Sequence, residues 1–145
     1  MANYVAVMQQ LKQCPINYTF QIIGKKFTVL LMRNMMLFGH RHFNEFLTIE
    51  GINPKTLSQR LKEMQKNGLV ERKVYPGTPV KIEYFLTERG MALKPVLDQL
   101  MLFSMQHYPQ EVCKDGKPKT LEDLCNKNSD DDDKQAGPVG FEPTT

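Results

Sequence analysis

The sequence predicts a mainly α chain with one small β-hairpin, an α+β arrangement in which a pair of short helices precedes the hairpin. Three observations carry this. The stretch N-P-K-T-L-S-Q-R-L-K-E-M-Q-K-N-G, Asn53 to Gly68, has apolar residues at helical spacing between a start signal and a stop signal. Immediately after it, L-V-E-R-K-V-Y and V-K-I-E-Y-F-L are rich in β-branched and aromatic residues and flank P-G-T-P. Ahead of it, a further helical segment closes at Gly51, so two helices meet across a tight glycine-containing turn.

The elements follow in order. Residues 2–13 carry Val5, Met8 and Leu11 spaced by threes, which predicts a short amphipathic helix that Cys14-Pro15 breaks. Ile16 to Ile23 is a second apolar-periodic segment, ended by Gly24. From Lys25, K-K-F-T-V-L-L-M-R-N-M-M-L-F-G predicts a buried helix. Phe27, Leu30, Leu31 and Leu37 face the core, Met32, Met35 and Met36 fill it, and Gly39 falls just past the end. R-H-F-N-E-F-L-T-I-E-G, opened by Arg41, predicts about two helical turns with Phe43, Phe46 and Leu47 on one side. Asn53 then suits the N-cap and Pro54 the first helical position of a helix running to about Asn67. The helix-turn-helix thus covers about 41–67 and the hairpin about 69–86, its tip near Pro76 to Pro79. Three helices followed by a hairpin describe a winged helix. Thr87 caps a last helix over about 88–107, striped with Leu93, Val96, Leu97, Leu100 and Phe103 and kinked at Pro95, which cannot donate to the carbonyl four residues back. That stripe is long for the terminal helix of so small a domain; it covers the core, alone or while also joining two copies. Residues 109–129 are weakly structured, with a weak turn of helix expected around Leu121 to Leu124. The tail 130–145, D-D-D-D-K-Q-A-G-P-V-G-F-E-P-T-T, is expected to be disordered, too poor in apolar surface to bury itself. Its D-D-D-D-K resembles a protease tag-removal site, and the tail is set aside from fold reasoning.

The organisation is therefore an N-terminal extension over 1–13, one domain over 14–108, a weakly structured segment over 109–129 and the acidic tail. A chain of 145 residues with 41% apolar residues suits one core of this size. The longest apolar run, Phe27 to Met32, is far too short to span a bilayer, and Met1 to Leu11 lacks the pattern of a secretory signal, so a cytoplasmic protein without a membrane partner is expected. Cys14, Cys113 and Cys125 are an odd number with no C-x-x-C, and His40, His42 and His107 form no H-E-x-x-H, so neither a disulfide framework nor a metal site is indicated. No cofactor is called for.

Net charge is +3, but residues 1–104 hold fourteen Lys/Arg against seven Asp/Glu, while 130–145 hold one Lys against five acids. A basic body with an acidic tail points toward a polyanionic partner, though ordinary soluble proteins reach the same balance. With Leu57 at zero on a helical wheel, Leu61 and Met64 fall within about 40° of it and define the buried side. Lys55, Gln59, Lys62 and Lys66 fall between about 140° and 200°, with Thr56 and Glu63 flanking. Gln and Lys donate to base edges, Lys neutralises phosphate, and Ser and Thr serve either. The N-terminal part of such a helix approaches the bases. Lys55, Thr56 and Gln59, with Ser58 and Arg60, are the expected readers; Lys62 and Lys66 reach only backbone. Any amphipathic surface helix also has a solvated polar face, and by itself this one is best read so. Arg41 opening the first helix of the pair and Arg72, Lys73 and Lys81 along the hairpin tip the balance toward double-stranded DNA.

Taken together, C-P-I-N-Y-T-F-Q-I-I-G-K-K-F-T-V-L-L, L-F-G-H-R-H-F-N-E-F, L-S-Q-R-L-K-E-M-Q-K-N-G-L-V-E-R-K-V-Y and I-E-Y-F-L-T-E-R-G-M-A-L-K-P-V-L-D-Q-L resemble the HxlR family of winged-helix transcriptional regulators over about residues 14–103. The resemblance implies a homodimer held by terminal helices, here Val5, Met8 and Leu11 with Val96, Leu97, Leu100 and Phe103, on a roughly palindromic operator. It also implies recognition by the helix over 54–67 and backbone contact by the wing between Lys73 and Lys81. The chain departs from the family pattern at Gly24-Lys25-Lys26-Phe27, where G-G-K-W is usual, at His40, where proline is common, and in its P-G-T-P wing tip. Cys14 matches the family's N-terminal Cys-Pro, a thiol some members use to sense oxidants or electrophiles. Reactivity depends on thiolate character and access; Lys12 lends slight support, and an inert buried thiol is the plainer alternative. An effector, oxidant or small molecule, stays unspecified. A winged helix serving protein–protein contact through its apolar terminal helix is the alternative function. Enzymatic activity is not expected, since the chain has no Gly-rich phosphate loop, nucleophile–base spacing or paired acids.

Overall fold

The computed structural model describes residues 3–126. Their order is α1 (Tyr4–Gln9), α2 (Pro15–Ile23), α3 (Thr28–Leu37), α4 (Phe43–Phe46), α5 (Pro54–Lys66), β1 (Val70–Tyr75), β2 (Lys81–Leu86), α6 (Glu88–Met91), α7 (Lys94–His107), α8 (Pro109–Val112) and α9 (Leu121–Asn126). The acidic tail over 130–145 lies outside the described residues, and so does its expected disorder. No helix among the described residues is long and apolar enough to cross a membrane, and none of their His, Cys, Asp and Glu residues gather into a group that could hold a metal ion.

The centre is α5, whose ends follow from local chemistry. Asn53 is extended and its side chain accepts the Thr56 N–H at 2.8 Å, satisfying one of the helix's orphan donors. Gly68, at φ 75°, turns the chain out into β1. Leu57, Leu61 and Met64 are buried on one side of α5 against Leu31 and Met32 of α3 and Phe46 of α4, all almost fully excluded from water. Each such side chain contributes roughly 1.5–3 kcal/mol of transfer free energy. The hairpin closes the domain: β1 pairs antiparallel with β2 in the register Val70↔Leu86 to Tyr75↔Lys81, and buried Val70 and Tyr84 join the same core.

Four expectations are corrected in detail. The third helix begins at Thr28 rather than Lys25, because Phe27 sits at φ 79° in the left-handed region and turns its ring into the core. Leu37, expected in the core, is exposed at the last turn of α3. The first helix of the pair is one turn, not two. Arg41 precedes it in chain that is tied to β2, since the Tyr84 N–H donates to the Arg41 carbonyl at 2.8 Å. The last helix is not kinked but broken into α6 and α7, with Pro95 in the first turn of α7, where its missing N–H costs no helical bond. Thr87 caps α6 as expected, accepting the Gly90 N–H at 3.1 Å.

Candidate nucleic-acid interface

Helix α5 presents its polar side outward between two neighbours. Lys55, Gln59 and Lys62 are exposed, while Thr56 and Ser58 are half-buried. On one flank, Ser58, Lys62 and Gln65 of α5 share a groove of about 380 Å³ with Arg72 and Tyr84 of the hairpin. The strand alternation explains this. Arg72 lies opposite Tyr84 on the hairpin face that carries Val70 and Leu86, so it turns toward α5.

Lys73 and Lys81 lie on the other hairpin face. The Lys73 ammonium is 4.7 Å from the centre of the Phe85 ring, and the Arg41 guanidinium carbon is 4.5 Å from the same centre. Each cation is attracted by the ring's negative face. Lys81 is held differently: its Nζ lies 3.2 Å from Glu83 Oε1, which offsets its charge. The three wing cations are thus divided between two faces and are not equivalent.

Arg60 does not join the outward set. Its Nε donates to the Lys26 carbonyl at 2.8 Å, and its Nη1 lies 3.4 Å from both oxygens of Glu63. Glu63 in turn is 2.9 Å from Lys25 Nζ. This side chain clamps α5 to the turn between α2 and α3. Nothing in the local sequence announces a bond to a carbonyl thirty-four positions away.

Beneath Arg41 sits a polar joint between α4 and the hairpin. Glu45 Oε1 accepts the His42 N–H at 3.0 Å and the Arg41 N–H at 3.2 Å, and it lies 2.7 Å from His42 Nδ1. His42 Nε2 is 3.9 Å from Glu83 Oε1 of β2. Burial pushes the Glu45 carboxyl up, but the Arg41 N–H, the His42 ring and the His42 N–H together outweigh it and hold the group below its ordinary value. Sequence reasoning missed this joint, as it missed the Arg41–Phe85–Lys73 convergence; both depend on the hairpin register.

The terminal helices carry the other predicted set. Helix α1 has no buried residue: Val5 is exposed and Met8 half-buried, while Leu11, expected on this helix, lies past its end and is exposed. On α7, Leu97 packs partly against the core, whereas Val96, Leu100 and Phe103 are exposed, the last by 57%. Between α3 and α7 runs an apolar groove of about 220 Å³ that includes Leu30, Met36, Leu37, Leu97 and Leu100. Cys14 is a free thiol, half-buried, at the N-cap of α2.

A short helix pair, a clamped and outward-facing second helix, and a cationic hairpin beside it define a winged helix-turn-helix protein. The HxlR-like helix-turn-helix family model matches residues 22–112. The HTH-type transcriptional regulator YodB of Bacillus subtilis is 38% identical over 105 residues, covering 71% of this chain and 88% of YodB. The structure of reduced YodB superposes with a TM-score of 0.57 at 35% identity, covering 72% of this chain and 99% of that one. The structure of the redox regulator HypR in its oxidised form gives a TM-score of 0.57 at 35% identity, covering 63% of this chain and 94% of that one. The chain belongs to the HxlR-like helix-turn-helix family and is a transcriptional regulator.

Proposed function

We propose that the protein binds specific double-stranded DNA as a homodimer on a roughly palindromic operator, with α5 in the major groove and the hairpin on the phosphate backbone. The observation that carries this reading is the outward face of α5, where Lys55 and Gln59 are uncovered while Ser58 and Lys62 share a groove with Arg72. A phosphate contact requires only positive charge and reach, which Arg41, Lys62, Arg72 and Lys73 have; base reading requires donors on the groove side, which Lys55, Thr56, Ser58 and Gln59 supply. Lys81, already paired with Glu83, contributes less.

Mobility-shift titrations test the assignment. The double change Lys55→Ala with Gln59→Ala removes preference for the operator over mixed sequence, each good base contact contributing roughly 1–3 kcal/mol of discrimination. Lys73→Ala weakens binding to all sequences alike. Wild-type discrimination by the helix double variant counts against the assignment. Six to ten neutralised phosphates also imply a loss of roughly 10³–10⁵ in affinity between about 50 and 200 mM salt.

The reading includes a redox response through Cys14. Its support is the half-buried thiol at the start of α2 and a relative described as a redox regulator. Diamide treatment changes the DNA affinity of the wild type and not of Cys14→Ser; equal affinities before and after treatment reject it. A second reading, a protein–protein module, draws on the exposed apolar residues of α7. It is favoured if no duplex binds at low salt while a stable partner is recovered.

A further inference from the structure

Helix α5 has two flanks, and the hairpin occupies only one of them. On a wheel centred on Leu57, Ser58, Gln65 and Lys62 lie on the hairpin side, while Arg60, Glu63 and Thr56 lie on the other, at about −60° to −120°. A major groove about 12 Å wide just admits a helix of about 10–12 Å, so a phosphate strand passes along each flank. The hairpin supplies Arg72 to one strand. The other strand would meet Glu63, a carboxylate that repels it.

The structure removes that repulsion. Glu63 is paired with Lys25 Nζ at 2.9 Å and with Arg60 Nη1 at 3.4 Å, leaving the flank with excess positive charge. Arg60 also fixes the backbone of the adjoining turn through the Lys26 carbonyl. Beside exposed Lys25, whose charge is spent on Glu63, the Lys26 side chain is exposed with no carboxylate within ion-pair distance among the described residues. Its ammonium stands 5.0 Å from the centre of the buried Phe27 ring, which restricts where it can point.

We infer that the turn between α2 and α3 is a second phosphate-contacting edge of the interface, in which Lys26 touches the strand opposite the one followed by the hairpin. The inference rests on the DNA-binding reading above. Arg60 is its positioning residue: it holds the turn and, with Lys25, neutralises Glu63, so that recognition is braced from both sides of α5.

The test is a salt titration of the full chain on a mixed-sequence duplex of roughly 30 base pairs, followed by fluorescence anisotropy. Lys26→Ala lowers the slope of log affinity against log salt by about one for each protomer bound, and Lys26→Arg restores it. The carbonyl that Arg60 holds belongs to the backbone, so Lys26→Ala keeps that bond, and an unchanged melting temperature separates a lost contact from a damaged fold. Lys73→Ala serves as the reference for the hairpin edge. If Lys73→Ala lowers the slope and Lys26→Ala leaves it at the wild-type value, DNA binding stands and this second edge is overturned. If the wild type binds no duplex at low salt, the DNA-binding reading fails and this inference with it.

Discussion

Glu45 gathers the Arg41 and His42 N–H groups and the His42 ring onto one oxygen, at the point where the helix pair meets the hairpin. Its carboxyl is held below the ordinary value of 4.5, because those hydrogen bonds favour the ionised form more than burial opposes it. A group lowered in the folded state contributes stability that is fully present above its unfolded value. That contribution is lost as pH falls through the folded value. Denaturant unfolding of the wild type should therefore show a flat contribution from this group near neutrality and a declining one below about pH 4.5. In Glu45→Gln the acid limb is shallower, and stability at neutral pH drops because the Arg41 and His42 donors lose a charged acceptor. An acid limb identical to that of the wild type would show that other carboxylates account for it. Since Arg41 is part of this joint and also stands over Phe85, the same variant reports whether the joint aims Arg41 at DNA: if it does, affinity falls without a change in operator preference.

Helix α5 was the most legible element because its limits are written locally, in Asn53, Pro54 and Gly68. Its buried side and its exposed Lys55 and Gln59 follow from spacing alone. Where the reading failed, a distant residue decided. Phe27 leaves the helical region to place its ring in the core, delaying the start of α3. Arg41 is tied to Tyr84 of β2 and so stands ahead of α4 rather than opening it. Arg60, near the edge of the buried side, donates to the Lys26 carbonyl, a bond that the local pattern does not announce. At Gly90, too, a distant residue decides. A Cβ there would lie 2.2 Å from the Leu69 carbonyl oxygen, so α6 rests directly on the backbone entering β1. No local pattern marks Gly90 as a contact glycine. Gly90→Ala forces backbone apart and is expected to cost about 1–3 kcal/mol in urea unfolding. Met91→Ala, at an exposed neighbouring position, should fall within about 0.5 kcal/mol of the wild type. At the other end of the domain, Asn53→Ala removes the α5 N-cap and costs about 1 kcal/mol. Because that cap orients the first turn holding Lys55 and Thr56, the variant should also weaken operator binding by more than its stability loss accounts for.

At the scale of the molecule, apolar surface points outward along α1 and α7. Core-facing residues of α3, α5 and β1 are nearly sealed from water, yet α1 buries nothing and α7 leaves Val96, Leu100 and Phe103 open. Scattered exposed apolar residues are normal in any protein, but a row of them along one helix, continuous with the α3–α7 groove, is a surface awaiting a complement. In the homodimer proposed above, a second copy would supply one through a two-fold axis, where the same patch meets itself. Such an axis would also serve the DNA-binding reading. A single α5 reads only a few base pairs, whereas two held one helical turn apart, about 34 Å, read a palindrome, and the linkage makes the second contact intramolecular. Leu100→Glu tests this. Leu100 is 45% exposed within one chain, so a carboxylate there costs the isolated fold little, but two of them facing across the axis are desolvated and repel. Sedimentation velocity should show the wild type as a dimer and Leu100→Glu as a monomer with a melting temperature no longer dependent on concentration. Operator affinity of the variant should fall by about 10²–10⁴, the gain that joining two half-sites supplies, while the α5 surface stays intact. A dimer that persists in Leu100→Glu with full operator affinity would move the interface away from α7; a monomer that keeps full affinity would mean that one copy of α5 and its two flanks suffice for recognition.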